Sequence, residues 1–389
     1  MTYDFDTAIL RRGTDCVKWD EAAPGELPMW VADMDFPTAP CIIEALRRRV
    51  EHGIFGYALV PESFYESIIA WCSRRYSWTP RREWMLYTSG VVPALSAIIR
   101  GITKPGDAVV FMTPAYNCFF SSVRNNGCRE VHFPLRWDAG SERYSIDFED
   151  FEDVMRRERP RVFVLCNPHN PSGRVWTSDE LLRLARLCAA NDVIVISDEI
   201  HCEFVDPQLG RHFLPFAPIA EAAGCKWVVA NAPNKAFNIA GLMTAYIVCP
   251  DTTLRNAIDR AININEVCDI NVFSSVALQA AYTREGEEWL NQLVTYIYDG
   301  YRHFRQRMKD ALPQLPLAHL EGTYLAWLDV SSLGDSKLIS EHLRREHKVW
   351  VNPGDMYGQP GFLRINLATQ RQHLDEATTR IIDGLRSKD

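Results

Sequence analysis

Lys235 lies in the stretch Asn231-Ala-Pro-Asn-Lys-Ala-Phe-Asn-Ile-Ala-Gly-Leu242, just after the apolar run Trp227-Val-Val-Ala230. The run reads as a short buried strand. Asn231, Pro233 and Asn234 make the turn that ends it. An unpaired ammonium is costly to bury, so a lysine at such a tip has its pKa lowered. The neutral amine can then attack a carbonyl. The chemistry suggested is covalent capture of an aldehyde. A surface-loop lysine after a strand would leave the same local trace, so the rest of the chain must supply the context.

Three more apolar runs end in groups with chemistry of their own. Residues 108–112 lead into Thr113-Pro-Ala-Tyr-Asn-Cys118. Residues 161–166 lead into Asn167-Pro-His-Asn-Pro-Ser-Gly173, and residues 193–196 into Ser197-Asp-Glu-Ile-His201. The Asp198 carboxylate can pair with a protonated ring nitrogen. The Asn170 amide and the His201 imidazole can donate to a ring oxygen. Tyr116 offers an aromatic face, although an aromatic that merely covers a loop would read the same way. Gly90 precedes a helical pattern over 91–102, and free N–H groups of Gly90, Val91 and Val92 would suit a phosphate. Cys118 is the cysteine to inspect for a catalytic or metal-binding role, but no metal site is expected.

The elements that must position these groups alternate. Helical patterns cover 41–50, 62–76, 91–102 and 177–190, the last opened by the capping box Thr177-Ser-Asp-Glu180. Strands fall between them, with one more expected over 243–249. This order predicts an α/β fold: a mostly parallel central sheet sandwiched by helices, plus a smaller α/β domain. Ligands collect beyond the carboxyl ends of strands in such sheets. Tyr116, Asn170, Asp198 and Lys235 should therefore share one edge. Residues 265–312 read as long and helical. Strands are expected at 324–330, 349–351 and 362–366 in the second domain. Pro28-Met-Trp-Val-Ala-Asp-Met-Asp-Phe-Pro37 is too apolar for a free tail and reads as an arm packed on the body. The expected division is an arm with part of the small domain at 1–45, a large domain at 46–280 and a small domain at 281–389.

Composition narrows the partners. The 389 residues are 47% hydrophobic and 24% charged, ordinary values for a globular enzyme. A net charge of -8 without a basic tract argues against nucleic acid. No signal peptide and no membrane span are visible. The 11 cysteines include no C-x-x-C pair and read as small buried hydrophobes of a reducing, cytoplasmic setting.

One cofactor needs all of these groups together: pyridoxal 5′-phosphate, an electron sink for amino-acid carbanions. The sequence resembles fold-type-I pyridoxal-phosphate enzymes of the class I/II aminotransferase family. Asn167-Pro-His-Asn-Pro-Ser-Gly173, Asp198 and Lys235 stand in that family's order, over a match from about Leu27 to Thr369. Five stretches resemble its cystathionine β-lyase/cystalysin branch of C–S lyases. They are Met29-Trp-Val-Ala-Asp-Met-Asp-Phe36, Phe55-Gly-Tyr57, Gly90-Val-Val-Pro-Ala-Leu95, Asp198-Glu-Ile-His201 and Lys235-Ala-Phe-Asn-Ile-Ala-Gly241.

The resemblance implies that Lys235 carries the cofactor and shuttles the Cα proton. It implies that Asp198 faces the ring nitrogen, Asn170 and His201 the ring oxygen, and Tyr116 the ring. Arg364 would hold the α-carboxylate of an amino-acid substrate. Tyr57 would reach across a homodimer interface to the phosphate or substrate of the other subunit. There are departures. Asn234 stands where the family usually has Ser, Ala236 where it has Thr, and Met243 where many members place a phosphate-binding Arg. The reaction implied is α,β-elimination of cystathionine or another cysteine S-conjugate to pyruvate, ammonia and a thiol. Transamination on the same scaffold is the alternative. A regulator that keeps the fold without turnover is a third reading, disfavoured by the complete Lys, Asp, Asn and Arg set.

Overall fold

In the computed structural model, residues 2–264 and 269–387 are described. Seven strands form the main sheet: β1 Met85–Thr88, β2 Ala108–Thr113, β3 Arg129–Pro134, β4 Val162–Cys166, β5 Ile194–Asp198, β6 Trp227–Asn231 and β7 Ala245–Val248. Their order across the sheet is β1-β7-β6-β5-β4-β2-β3. β7 runs antiparallel to both neighbours, and every other pairing is parallel.

The four inner parallel strands are buried along their whole length. That is why each reads as an unbroken apolar run rather than as an alternation. Alternate residues feed two separate cores. Val109, Phe111, Val164, Ile196 and Ile247 pack with the helix Val91–Ile102 on one face. Val110, Met112, Phe163, Val195 and Val229 pack with the helices Phe148–Glu158 and Ser178–Ala190 on the other. The capping box at Thr177 forms as the sequence predicts, with Glu180 reaching back to the Thr177 N–H. Sequence analysis gives no strand at β1 or β3. Both are sheet edges: β3 alternates between buried and exposed residues and so lacks a continuous apolar run, while β1 is a run of only four residues.

A second sheet holds three antiparallel strands: β8 Leu325–Asp329, β9 Asn352–Pro353 and β10 Phe362–Asn366, in the order β8-β10-β9. The N-terminal arm joins this region directly, because Leu27–Pro28 pairs in parallel with Val349–Trp350. The strand expected at 349–351 is thus Val349–Trp350, paired with the arm, and the chain joins the second sheet only at Asn352–Pro353.

The long helical stretch expected over 265–312 needs correction. Residues 265–268 lie outside the described residues. The remainder forms two helices, Val272–Ala281 and Arg284–Ala311. Thr283 interrupts them because its hydroxyl caps the second helix by accepting from the Gly286 N–H at 3.1 Å. Glu285 and Glu287 then complement the dipole of that new first turn.

The ten described cysteines are free thiols, and most are buried. Among the described residues no helix is long and apolar enough to cross a membrane, and no group of side chains could hold a metal ion.

Candidate active site

A cavity of about 420 Å³ opens beyond the carboxyl ends of β2, β4, β5 and β6. Gly90, Val91, Val92, Tyr116, Asn170, Asp198, His201, Asn234, Lys235 and Arg364 all line it. The volume lies in the range of small-molecule and cofactor sites. Parallel β-strands explain the convergence: each inner strand delivers its tip to the same edge.

Lys235 sits four residues past the end of β6. Its amine donates to the Ala32 carbonyl of the arm at 2.5 Å. Burial, and then the nearby Arg364 charge, lower its pKa to about 8. Asp198 is the last residue of β5 and is buried. Loss of water raises its pKa to about 7, although the Ile200 N–H at 3.1 Å and the Lys235 charge pull the other way. His201 is driven down to about 3 by burial, with Lys235 and Arg364 adding to the effect, so its ring is neutral. Burial also pushes the Tyr116 phenol up.

Arg364 comes from the second sheet, in β10, opposite Trp327 and Asn352. It is buried, and its guanidinium lies over the Tyr357 ring at 4.5 Å. Nη1 donates to Asn170 Oδ1 at 3.3 Å and Nη2 to the Trp30 carbonyl at 3.1 Å. Neutral oxygens hold it, and no carboxylate pairs with it among the described residues. A buried arginine in that condition is a receptor for a ligand carboxylate.

The helix Val91–Ile102 starts at the cavity wall. Gly90 is its N-cap in an extended conformation, and no side chain caps it. The leading amides are therefore available to an anion. Three buried polar atoms around the same space have no partner: His201 Nδ1, Asn234 Oδ1 and Arg364 Nε. Unsatisfied buried polar groups are rare and costly. Their convergence here fits a polar, phosphate-bearing ring compound better than an empty structural void.

Sequence reasoning missed a whole wall. Trp30, Val31 and Ala32 of the arm, together with Asn352, Met356 and Tyr357, complete the cavity. Asn366 Nδ2 fixes the arm by donating to the Val31 and Asp33 carbonyls at 2.6 and 2.8 Å. Asn352 Nδ2 donates to the Trp30 carbonyl at 2.8 Å. Further back, buried Asp35 accepts from Lys18, Arg11 and Trp19. The polar residues Asp33 and Asp35 inside an apolar segment were the available signal. Nothing local said which carbonyl would meet Lys235.

Two expected residues lie elsewhere. Tyr57 is fully exposed and lies outside the cavity, among exposed Ile54, Phe55 and Leu59. Cys118 is a half-buried free thiol at the start of the helix Asn117–Asn125. It has no metal-binding partners among the described residues. Met243, where an Arg was noted as missing, lines the cavity and leaves that wall uncharged.

The sequence profile described as "Aminotransferase class I and II" matches residues 27–381. Cystathionine β-lyase PatB of Bacillus subtilis is 37% identical, over 97% of this chain and 98% of its own length. Cystalysin from Treponema denticola, a structure containing pyridoxal 5′-phosphate, superposes with a TM-score of 0.94 at 30% identity and covers 100% of both chains. The pyridoxal-phosphate-bound C–S lyase from Staphylococcus hominis has a TM-score of 0.91 at 30% identity, covering 99% of this chain and 98% of that one. With a family match over most of its length and relatives of this identity and coverage, the chain belongs to the class I and II aminotransferase family, alongside the cystathionine β-lyases.

Proposed function

We propose that the protein is a pyridoxal-phosphate-dependent C–S lyase that converts an L-cysteine S-conjugate and one water to pyruvate, ammonia and a thiol. One observation carries the reading: an amine whose pKa burial lowers and an arginine without a carboxylate partner among the described residues face a single cavity. Bound pyridoxal phosphate supplies an electron sink for negative charge at the substrate Cα. This chain supplies the rest. Lys235 would hold the cofactor through its aldehyde carbon. Its Nζ would also take the Cα proton, a positioned transfer worth roughly 10²- to 10⁴-fold. Arg364 receives the α-carboxylate in a two-pronged grip and so points the Cα–H bond at Lys235. Cleavage of the Cβ–S bond releases the sulfur as a thiolate.

Asp198 would face the ring nitrogen, where a positive charge restores its ionised form. Asn170 and His201 would meet the ring oxygen, and Tyr116 would cover the ring. Gly90, Val91, Val92 and Asn234 would hold the phosphate by hydrogen bonds. The same reading places Lys235 in a large domain over 46–280 and Arg364 in a small domain over 281–389, with the arm over 1–45 between them.

The working unit is a homodimer in this reading. Ile54, Phe55, Tyr57 and Leu59 form an exposed apolar run, with Leu59 90% exposed. Such a run on a lone protein is unfavourable and marks an interface. A second copy burying it would bring Tyr57 to the rim of the neighbouring site. The free thiols among the described residues suit a reducing cytoplasm.

The test is steady pyruvate release from cysteine S-conjugates with no keto acid present. Turnover that requires a keto-acid acceptor would make transamination the main reaction instead.

A further inference from the structure

The arm segment from Trp30 to Phe36 borders the site but belongs to no strand. Carbonyls in such a segment need donors from elsewhere, and here side chains supply every one. Asn352 donates to the Trp30 carbonyl, Asn366 to those of Val31 and Asp33, and Gln370 to that of Asp35. Lys235 Nζ serves the Ala32 carbonyl. The last two, Met34 and Phe36, both belong to Asn238. Its Nδ2 donates to them at 2.8 and 2.9 Å, while its Oδ1 accepts from the Met34 N–H at 3.2 Å.

Asn238 lies on the lysine loop itself, three residues after Lys235, with φ at +54°. Asparagine visits this left-handed region more readily than most residues. Glycine would hold the same backbone without strain, so what the side chain adds is its three bonds. The Ala32 carbonyl is thereby fixed from two directions. Asn366 grips its neighbours on either side, and Asn238 ties the next turn of the arm to the lysine loop. Buried Tyr324 adds a second donor to the same oxygen at 3.2 Å. A carbonyl held this firmly sets the direction of the amine that donates to it.

We propose that Asn238 is a positioning residue for Lys235: it clasps the lysine loop to the arm so that the Ala32 carbonyl holds Nζ at the cavity wall, where the aldehyde arrives. This rests on the reading of Lys235 as the amine that takes the cofactor.

The experiment compares wild type with Asn238→Gly, which keeps the backbone and deletes the clasp, and with Tyr324→Phe, which removes one hydroxyl from Ala32. In the Asn238→Gly apoprotein, amide hydrogen exchange across residues 30–36 should quicken at least about tenfold while the helix Ser178–Ala190 keeps its wild-type rate. Uptake of pyridoxal 5′-phosphate, followed by absorbance, should slow at least about tenfold. In the loaded enzyme with L-cystathionine, kcat should fall by a similar factor with KM within about twofold, because Asn352 still holds Trp30 beside Arg364. Tyr324→Phe should slow uptake about threefold. Wild-type exchange and uptake in Asn238→Gly overturn the inference. So do a loosened arm with unchanged uptake, a loss carried by KM, and exchange that quickens equally in both segments. If thermal melts show Asn238→Gly unfolded, Tyr324→Phe decides alone, and unchanged uptake overturns the inference. A wild type that takes up no cofactor overturns the reading of Lys235 instead, and one that takes it up but makes no pyruvate overturns only the lyase reading.

Discussion

Lys235 Nζ donates a 2.5 Å hydrogen bond to the carbonyl of Ala32, 203 residues earlier in the chain. The same carbonyl accepts from Tyr324 OH at 3.2 Å. One backbone oxygen of the arm therefore joins the amine of the main sheet's edge to the second sheet. The arm is part of the site wall, and what it holds in place is a lysine whose pKa burial has lowered.

That lysine sets a pH dependence. With a pKa of about 8, roughly one amine in ten is neutral at pH 7, against fewer than about one in a thousand for an ordinary lysine. The rate of cofactor uptake by the apoprotein should rise with pH along a curve with a midpoint near 8. Stopped-flow absorbance across pH 6–10 measures it. A midpoint above 10 would mean that burial does not tune the amine.

Asp198 gives the opposite slope in stability. Its folded value is about 7, against about 3.9 unfolded. Between those values the folded state holds a proton that the unfolded state has lost. The group's contribution to apoprotein stability is therefore full below about pH 4 and falls as pH rises through 7. Asp198→Asn should remove this decline and leave the apoprotein more stable than wild type at pH 8 by about 2–4 kcal/mol, while cofactor-dependent activity collapses. Thermal melts of both apoproteins at pH 5 and pH 8 check the sign.

Arg364 is the position where charge alone is insufficient. Arg364→Lys keeps a cation but loses the planar fork, the stack on Tyr357 and one of the two bonds to Asn170 and Trp30. A charge-assisted bond is worth about 1.5–3 kcal/mol, so kcat/KM should fall about 10- to 150-fold, mostly through KM. Unchanged KM would place the α-carboxylate elsewhere.

The exposed apolar run makes a prediction about assembly. Leu59→Asp places a charge in the proposed interface at a position that is nearly fully exposed in a single chain. Sedimentation should show wild type as a dimer and the variant shifted toward monomer, with activity falling in step. A variant that dimerises like wild type would put the interface on another face.

Much of this was legible in the sequence for a physical reason. The inner strands are buried on both faces, so their apolar runs are unbroken and their polar tips stand out. Tyr116, Asn170, Asp198 and Lys235 could each be placed by that contrast alone. Arg364 could not, since a lone strand arginine usually makes surface ion pairs; it rested on family resemblance. The edge strand β3 hid because water on one side breaks the apolar run, and β1 hid because it is only four residues long. The arm's Ala32 hid more completely. Its contribution is a backbone carbonyl, which every residue type possesses, so no side chain advertises it. Thr283 was readable in principle, since a threonine followed by Glu285 and Glu287 is a helix start.

The central claim is a covalent bond at position 235, and borohydride reduction of the cofactor-loaded protein followed by peptide mapping tests it directly. Reduction should fix one pyridoxyl group per chain on the peptide containing Lys235, and Lys235→Ala should take up no such label and release no pyruvate. A label on a different lysine, or none on a protein that still makes pyruvate, would contradict the account.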